Sequence, residues 1–257
     1  MTLTRIDPQE SVSCAPHSSS NNVLTKLSQL KPPVVSVELG WRIGRWNGSS
    51  FREKTGALRK LLKKQVELVY VSAPHSVPQS SSGDSSEKDN SSRPGPVGDE
   101  EQRGWWFSDV QARSFNAQQH CVKSLGLDES VSAVREAVQV QGPFDGILGF
   151  SQGAAFVAML CSLQEKGLEP EFSFRFAILV AGFRSACTEH QMFYDAPLQI
   201  PSLHVFGLED RVIPDNMSRE LLPSFLQPQV LTHPGGHFVP AASAHRQTYQ
   251  DFLNTFQ

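Results

Sequence analysis

Residues 144–153 read FDGILGFSQG, and residues 154–166 continue as AAFVAMLCSLQEK. The first part is a short apolar run that predicts a buried strand, and the second has the length and composition of a helix. Between them lies the pattern Gly-x-Ser-x-Gly, with Ser151 at the apex of a sharp turn from strand to helix. Such a turn pushes the hydroxyl out of the sheet and leaves the next backbone N–H, that of Gln152, free to bind an oxyanion. The stretch predicts a nucleophile elbow; the alternative is a chance match in a glycine-containing loop.

Strands and helices alternate along most of the remaining chain. The predicted strands are residues 34–39, 66–71, 144–150, 174–181, 202–206 and 229–233. The predicted helices are residues 51–64, 127–140, 154–166, 214–226 and 240–256, with Asp128 as an N-cap of the second. Continuous apolar strands indicate a sheet covered on both faces, and the alternation favours parallel strands joined by right-handed crossovers. We therefore expect the α/β-hydrolase fold, with a mostly parallel sheet of about six strands and helices on both faces.

The composition excludes several classes of protein. The net charge of −3 gives no general attraction to nucleic acid or to anionic membranes. The four cysteines (Cys14, Cys121, Cys161 and Cys187) form no Cys-x-x-Cys pair, which argues against a disulfide scaffold and against structural zinc. The first 20 residues lack the apolar core of a secretion signal, and no apolar stretch approaches the roughly 18 residues of a membrane span. We expect a cytoplasmic protein, with entry into the nucleus left open.

Two polar segments interrupt the apolar pattern. Residues 1–31 are rich in Ser, Asn and Thr, and residues 74–104 contain two serine runs followed by Pro-Gly-Pro. Segments of this kind bury too little apolar surface to offset the entropy that ordering costs. We predict a disordered leader at 1–31 and one α/β-hydrolase domain at 32–257, with a flexible insert at about 74–104.

A serine hydroxyl is a poor nucleophile near neutral pH, so Ser151 needs a base, and the base needs an orienting carboxylate. In this fold the chain order is serine, acid, histidine, and the groups lie at the carboxyl ends of strands. The loop after the strand 202–206 supplies Asp210 as the acid; its neighbour Glu209 is the competitor. Asp145 is excluded because it precedes its strand and lies at the opposite end of the sheet.

The predicted base is His237, which follows the strand 229–233 and the pair Gly235-Gly236. Two glycines let a loop bend tightly enough to bring an imidazole over the sheet, and the pKa of histidine suits a proton shuttle. His233, at the end of the strand, is the rival. His204 lies within a strand, where a core role is the simpler interpretation. Together these residues predict a catalytic triad of Ser151, Asp210 and His237.

Several motifs resemble the small esterases called the family of serine hydrolases. They are GFSQG at 149–153, DRVIP at 210–214, GGHF at 235–238, RGWWF at 103–107 and NGSSFREKT at 47–55. The resemblance implies an α/β-hydrolase fold, no cofactor, and hydrolysis of esters with apolar, longer acyl chains. We also expect no metal. Gly-Phe-Ser-Gln-Gly also occurs in acyl-protein thioesterases, so the choice between ester and thioester stays open.

One stretch departs from that family. Its members carry a His-Gly-aromatic loop just before the position of Asn47, which supplies a second oxyanion N–H, whereas residues 41–46 read WRIGRW here. The departure keeps a third alternative open, namely a catalytically impaired hydrolase-fold module that only binds acyl ligands.

For substrate contacts we name Trp105, Trp106 and Phe183, because aromatic side chains line ligand pockets; core packing is the alternative for each. The expected partner is a small-molecule or lipid-like ester, with no nucleic acid and no integral membrane association. The sequence leaves the oligomeric state open.

Overall fold

The structure is a computed structural model that describes residues 33–37, 55–78 and 102–256. Its strands are β1 (Pro33–Val37), β2 (Glu67–Val71), β3 (His75–Ser76), β4 (Arg103–Gly104), β5 (Gly146–Phe150), β6 (Phe176–Val180), β7 (Ser202–Gly207) and β8 (Pro228–His233). Its α-helices are α1 (Gly56–Leu62), α2 (Leu127–Gln141), α3 (Gln152–Glu165), α4 (Asp215–Leu221) and α5 (Arg246–Asn254). Short 3-10 helices cover Thr188–Tyr194, Leu222–Ser224 and Ser243–His245.

Six of the strands form one sheet in the order β2-β1-β5-β6-β7-β8, and every neighbouring pair is parallel. From β1 the chain crosses to β2 at one edge of the sheet. It then returns past β1 to β5 and continues through β6 and β7 to β8 at the opposite edge. Right-handed crossovers therefore place α1 on one face of the sheet and α2, α3 and α4 on the other. Helix α5 packs against α1 and so shares its face. The predicted α/β-hydrolase fold, with about six strands and helices on both faces, is confirmed.

The centre of the sheet is buried on both faces. All residues of β5, β6 and β7 are buried, which explains why these strands read as continuous apolar runs. Helix α3 packs against β5 and β6, and every residue from Gln152 to Ser162 is buried. A helix that is apolar all round is found in a protein interior. The segment that decides the fold thus forms the centre of the core.

Helix boundaries differ from the prediction. Helix α2 begins at Leu127 with Gly126 as its N-cap (φ 94°), so the prediction of Asp128 as the cap is wrong. The helix expected at 240–256 begins as a 3-10 turn at Ser243 and becomes α-helical only at Arg246. The helix expected at 51–64 covers Gly56–Leu62: Thr55, Lys63 and Lys64 form turns instead, and residues 51–54 lie outside the described residues.

The expected insert at 74–104 begins and ends in paired strands. His75 pairs with Gly104 and Ser76 with Arg103, in a two-stranded antiparallel sheet. The Val77 N–H also donates to the carbonyl of Gln102 (2.8 Å). Residues 79–101 and the predicted leader at 1–31 lie outside the described residues, so the domain organisation stays a prediction. No described helix is both long and apolar enough to cross a membrane.

Candidate active site

Ser151 lies at the sharp turn between β5 and α3. Its backbone has φ 55° and ψ −119°, a conformation that residues other than glycine rarely adopt. Its N–H donates to the carbonyl of Val180 on the neighbouring strand (2.8 Å), which holds the turn in place. A Cβ at Gly149 would clash with the carbonyl oxygen of Gly153, so the strand and helix approach this closely only with glycine there. The geometry is that of a nucleophile elbow.

Gln152 is the first residue of α3. The first four N–H groups of a helix have no intrahelical acceptor, and the helix dipole favours negative charge at this end. The backbone N–H of Gln152 therefore lies at the helix end that favours an anion, and its role as an oxyanion donor stays a prediction.

Asp210 and His237 are joined by a hydrogen bond. The Nδ1 atom of His237 lies 2.7 Å from Oδ2 of Asp210. The other carboxylate oxygen, Oδ1, accepts from the backbone N–H groups of Val212 (2.8 Å) and Ile213 (2.9 Å). The Asp210 side chain is fully buried, and that of His237 is 17% exposed. The carboxylate is thus fixed by its own loop, and it orients the imidazole.

The loops that carry Asp210 and His237 touch at Gly207, the last residue of β7. A Cβ at Gly207 would clash with the carbonyl oxygen of Gly235 and lie 2.6 Å from that of Gly236. The N–H of Glu209 donates to the Gly235 carbonyl (3.2 Å). This close approach of two backbones brings the acid and the base of the predicted triad together.

His237 lies over the elbow. Its ring centroid is 4.6 Å from that of Phe150, the residue before Ser151. Within the described part of the chain no hydrogen bond joins the Ser151 hydroxyl to the imidazole. Catalytic hydrogen bonds are often long in the absence of substrate and tighten in the reacting complex.

The rival residues are placed elsewhere. His233 is buried at the end of β8, where its Nδ1 accepts from the N–H of Gly235 (3.3 Å). Burial, aided by the nearby His245, lowers the pKa of His233 although the charge of Asp210 acts to raise it. His204 is buried within β7, and burial lowers its pKa to about 3. Asp145 precedes β5 and forms an ion pair with Arg175 (3.0 Å), while the Glu209 side chain is exposed. The carboxylate that bonds His237 is that of Asp210.

The side chain of Gln152 has a role that the sequence analysis missed. Its Oε1 accepts from the N–H of Trp105 (3.0 Å), and its Nε2 donates to the carbonyl of Trp106 (2.8 Å). The Ser130 hydroxyl also donates to the carbonyl of Trp105 (2.5 Å). The residue after the elbow serine thus anchors the aromatic segment that follows the insert. Glutamine within the motif is the one sequence signal for this contact, and it does not identify the partner.

The three predicted substrate-contacting residues are fully buried. Trp105 stacks on Phe156 with a centroid distance of 4.7 Å, and Trp106 packs edge-on against His190 (5.6 Å). Phe183 lies next to Phe115 (6.0 Å). These contacts belong to the core, and the substrate role of the three residues stays a prediction.

A cavity of about 740 Å³ lies at the carboxyl edge of the sheet, beside the acid loop. Pro214 lines both this cavity and a smaller one whose walls include Asp210 and Gly236. The lining of the larger cavity mixes polar and apolar groups: Ala117, Gln118, His120, Arg184, Ser185, Ala186, Gln191, Pro214, Asn216, Met217, Glu220 and Pro223. Residues 41–46, where the family resemblance predicts the second oxyanion loop, lie outside the described residues.

Comparison with known proteins places these features in a family. Residues 44–249 match the family model described as Serine hydrolase (FSH1). The Danio rerio protein named Esterase OVCA2 is 71% identical over 217 residues, covering 83% of this chain and 94% of that protein. The Homo sapiens protein of the same name is 45% identical over 217 residues, covering 82% and 92%. These relatives agree with the sequence motifs, which resemble the vertebrate ovarian-cancer-associated esterase within this family.

A solved structure shares the fold. Zea mays acyl-protein thioesterase 2 superposes with a TM-score of 0.57 and covers 87% of this chain and 94% of its own. At 15% sequence identity this likeness concerns the fold alone.

Proposed function

The chain belongs to the serine hydrolase (FSH1) family and is a hydrolase, and on that basis we propose that it cleaves carboxylic esters with apolar, longer acyl chains. Ser151 is the nucleophile, His237 the general base, and Asp210 the carboxylate that orients the base. The observation that carries the proposal is the 2.7 Å bond between Asp210 and His237, on a ring that lies against Phe150 beside the elbow serine.

The reaction proceeds through an acyl-enzyme. His237 takes the proton of Ser151 as the serine oxygen attacks the ester carbonyl, and Asp210 stabilises the charged imidazole that results. The backbone N–H of Gln152 donates to the oxyanion; losing one such donor typically costs about 3 kcal/mol of transition-state stabilisation. His237 then gives its proton to the departing alcohol and activates a water molecule that releases the acid.

The first test is covalent labelling with a fluorophosphonate, which modifies activated serines. We expect the wild type to be labelled, and Ser151→Ala to be unlabelled and to lose ester hydrolysis by on the order of 10⁴-fold or more. Ser162→Ala is the matched control, because Ser162 is a buried serine in α3, the helix that follows the elbow, and carries no proposed role. Asp210→Asn should lose roughly 10⁴-fold in kcat while it keeps its fold. A folded wild type that takes no label would contradict the proposal.

The second test fixes the substrate class. Paired oxygen esters and thioesters of increasing chain length are assayed with the wild type, and the proposal expects kcat/KM to rise with chain length and to favour oxygen esters. A preference for thioesters would assign an acyl thioesterase instead. Saturable binding of acyl ligands without turnover would identify the protein as a catalytically impaired module that only binds them.

A further inference from the structure

Two cysteines, one partly exposed and one buried, lie opposite each other in the hydrolase domain. Cys121 and Cys187 are partners in an isolated parallel bridge between the segment before α2 and the segment after β6. The N–H of Thr188 donates to the carbonyl of Cys121 (2.8 Å), and the N–H of Glu189 donates to that of Val122 (3.2 Å). The backbones of the two segments are therefore held together at this point.

The spacing suits a covalent link. Neighbouring strands lie about 4.8 Å apart in the direction of their hydrogen bonds, and disulfides form where the Cα atoms are about 4.4–6.8 Å apart. The side chains also interact. The pKa of the Cys187 thiol is raised to about 12, mainly by burial and secondly by a hydrogen bond with Cys121. Both cysteines are free thiols, and they lie at paired positions of the bridge.

We propose that Cys121 and Cys187 form a reversible disulfide by exchange with a low-molecular-weight disulfide, such as oxidised glutathione. Cys121 is partly exposed and receives the reagent, whereas Cys187 is 1% exposed and is reached only through Cys121. Cys161, the third cysteine of the described chain, is fully buried in α3 and has no bridge partner among the described residues.

The exchange takes two balanced steps. The Cys121 thiolate attacks one sulfur of the small disulfide, the S–S bond breaks, and one thiolate leaves and takes up the proton that Cys121 lost. The Cys187 thiol, which its raised pKa keeps protonated near neutral pH, first loses its proton, so alkaline pH speeds this step. Its sulfur then attacks the Cys121 sulfur of the mixed disulfide and expels the second small thiolate, which takes up the proton of Cys187. Two protein thiols are oxidised to one disulfide, and one small disulfide is reduced to two thiols.

A metal site is the competing interpretation of the same cluster. Ligand atoms of Cys187, Glu189 and His190 lie within 4.8 Å of one another. However, Glu189 Oε1 accepts from the Ser124 hydroxyl (2.7 Å), and the ring nitrogens of His190 bond Ser185 (2.8 Å) and Ser124 (2.9 Å). The Cys187 thiol also donates to the carbonyl of Val122 (3.5 Å), but this sulfur hydrogen bond is the weakest of these contacts. Because the carboxylate and the imidazole are held more firmly by protein partners, thiol exchange is the chemistry that the cluster offers.

The disulfide would fix one wall of the large cavity. His120 precedes Cys121, Ser185 and Ala186 precede Cys187, and all three line that cavity. A covalent bond between the two segments therefore limits how far this wall can open, whichever substrate the enzyme takes.

The test is treatment of the folded full-length chain with oxidised glutathione, followed by alkylation of free thiols and peptide mapping without reduction. We expect a linked peptide that contains Cys121 and Cys187, joint loss of both alkylation products, and reversal by dithiothreitol. Peptide mapping separates these thiols from Cys14. Cys161→Ser should form the link as the wild type does.

Two variants separate the steps. Cys187→Ser should retain a glutathione adduct on Cys121, because nothing resolves the mixed disulfide. Cys121→Ser should give no link and leave Cys187 unmodified; the partial exposure of Cys121 makes this variant the safer one for folding. A wild type that keeps a stable adduct on Cys121, that does not react, or that links only in denaturant overturns the proposal.

Discussion

Gln152 contributes to the region of the elbow through two different groups. Its backbone N–H begins helix α3 beside Ser151, and its side-chain amide bonds the backbone of Trp105 and Trp106. Gln164 makes a similar contact near the other end of the helix, where its amide bonds both the N–H (2.8 Å) and the carbonyl (3.0 Å) of Phe174. One helix thus holds two distant segments through two glutamines, one fully buried and one half-buried.

We expect Gln152→Ala to lower the free energy of unfolding by about 2–6 kcal/mol, because it removes two hydrogen bonds to buried backbone groups at about 1–3 kcal/mol each. Urea denaturation measures this loss. Gln164→Ala is the matched control and should lose about 1 kcal/mol, since water can replace a half-buried amide. An equal loss in both variants would show that burial of the amide does not set the cost.

At the scale of elements, the sequence predicts the central strands well because their burial on both faces makes them continuous apolar runs. The ends of the helices are predicted less well. Local cues predict a cap at Asp128, whereas the N-cap of the helix is Gly126. They also predict that the last helix includes residues 240–242, which precede its first turn. The pairing of Asp210 with His237 follows from strand order, and so it could be anticipated.

Contacts between distant segments could not be anticipated. The partners of the Gln152 amide lie 46 and 47 residues away in the chain. The bridge between Cys121 and Cys187 likewise depends on the path of two loops. No local pattern encodes such contacts, because they arise only once the sheet has brought the segments together.

The contact of β7 with the loop after β8 can be tested at Gly207. We expect Gly207→Ala to lower kcat/KM for esters by at least about tenfold, because the new methyl group must displace the carbonyl groups of Gly235 and Gly236 and move His237 by a distance that catalysis does not tolerate. Gly56→Ala is the control: nothing lies within 4 Å of a Cβ at that position. Unchanged hydrolysis by Gly207→Ala would mean that the loop adjusts without moving the imidazole.

For the whole molecule, buried histidines link stability to pH. Burial lowers the pKa of His190 to about 4, although the charge of Glu189 opposes this, and lowers that of His204 to about 3. In the unfolded chain both titrate near 6.5. Below that pH the unfolded chain binds protons that the folded chain does not, so stability falls as the pH falls from 6.5 toward the folded pKa values.

We expect the wild type to lose about 2 kcal/mol per buried histidine between pH 6.5 and pH 5, at about 1.4 kcal/mol for each pH unit. Urea denaturation at pH 7 and pH 5 measures the difference. Glutamine does not titrate. Over the same interval His190→Gln should therefore lose about 2 kcal/mol less stability than the wild type. The same pH dependence in the wild type and in this variant would contradict a lowered pKa of His190 in the folded protein.

The short ladder formed by β3 and β4 has a consequence for how this protein can vary. It returns the chain at Gln102 to the place that it left at Val77. Closing a longer loop costs only about 0.6 kcal/mol for each doubling of its length. Paralogues and splice forms can therefore differ widely in length at this position, and a fluorescent reporter or an affinity tag could be grafted there, while the hydrolase body keeps its architecture.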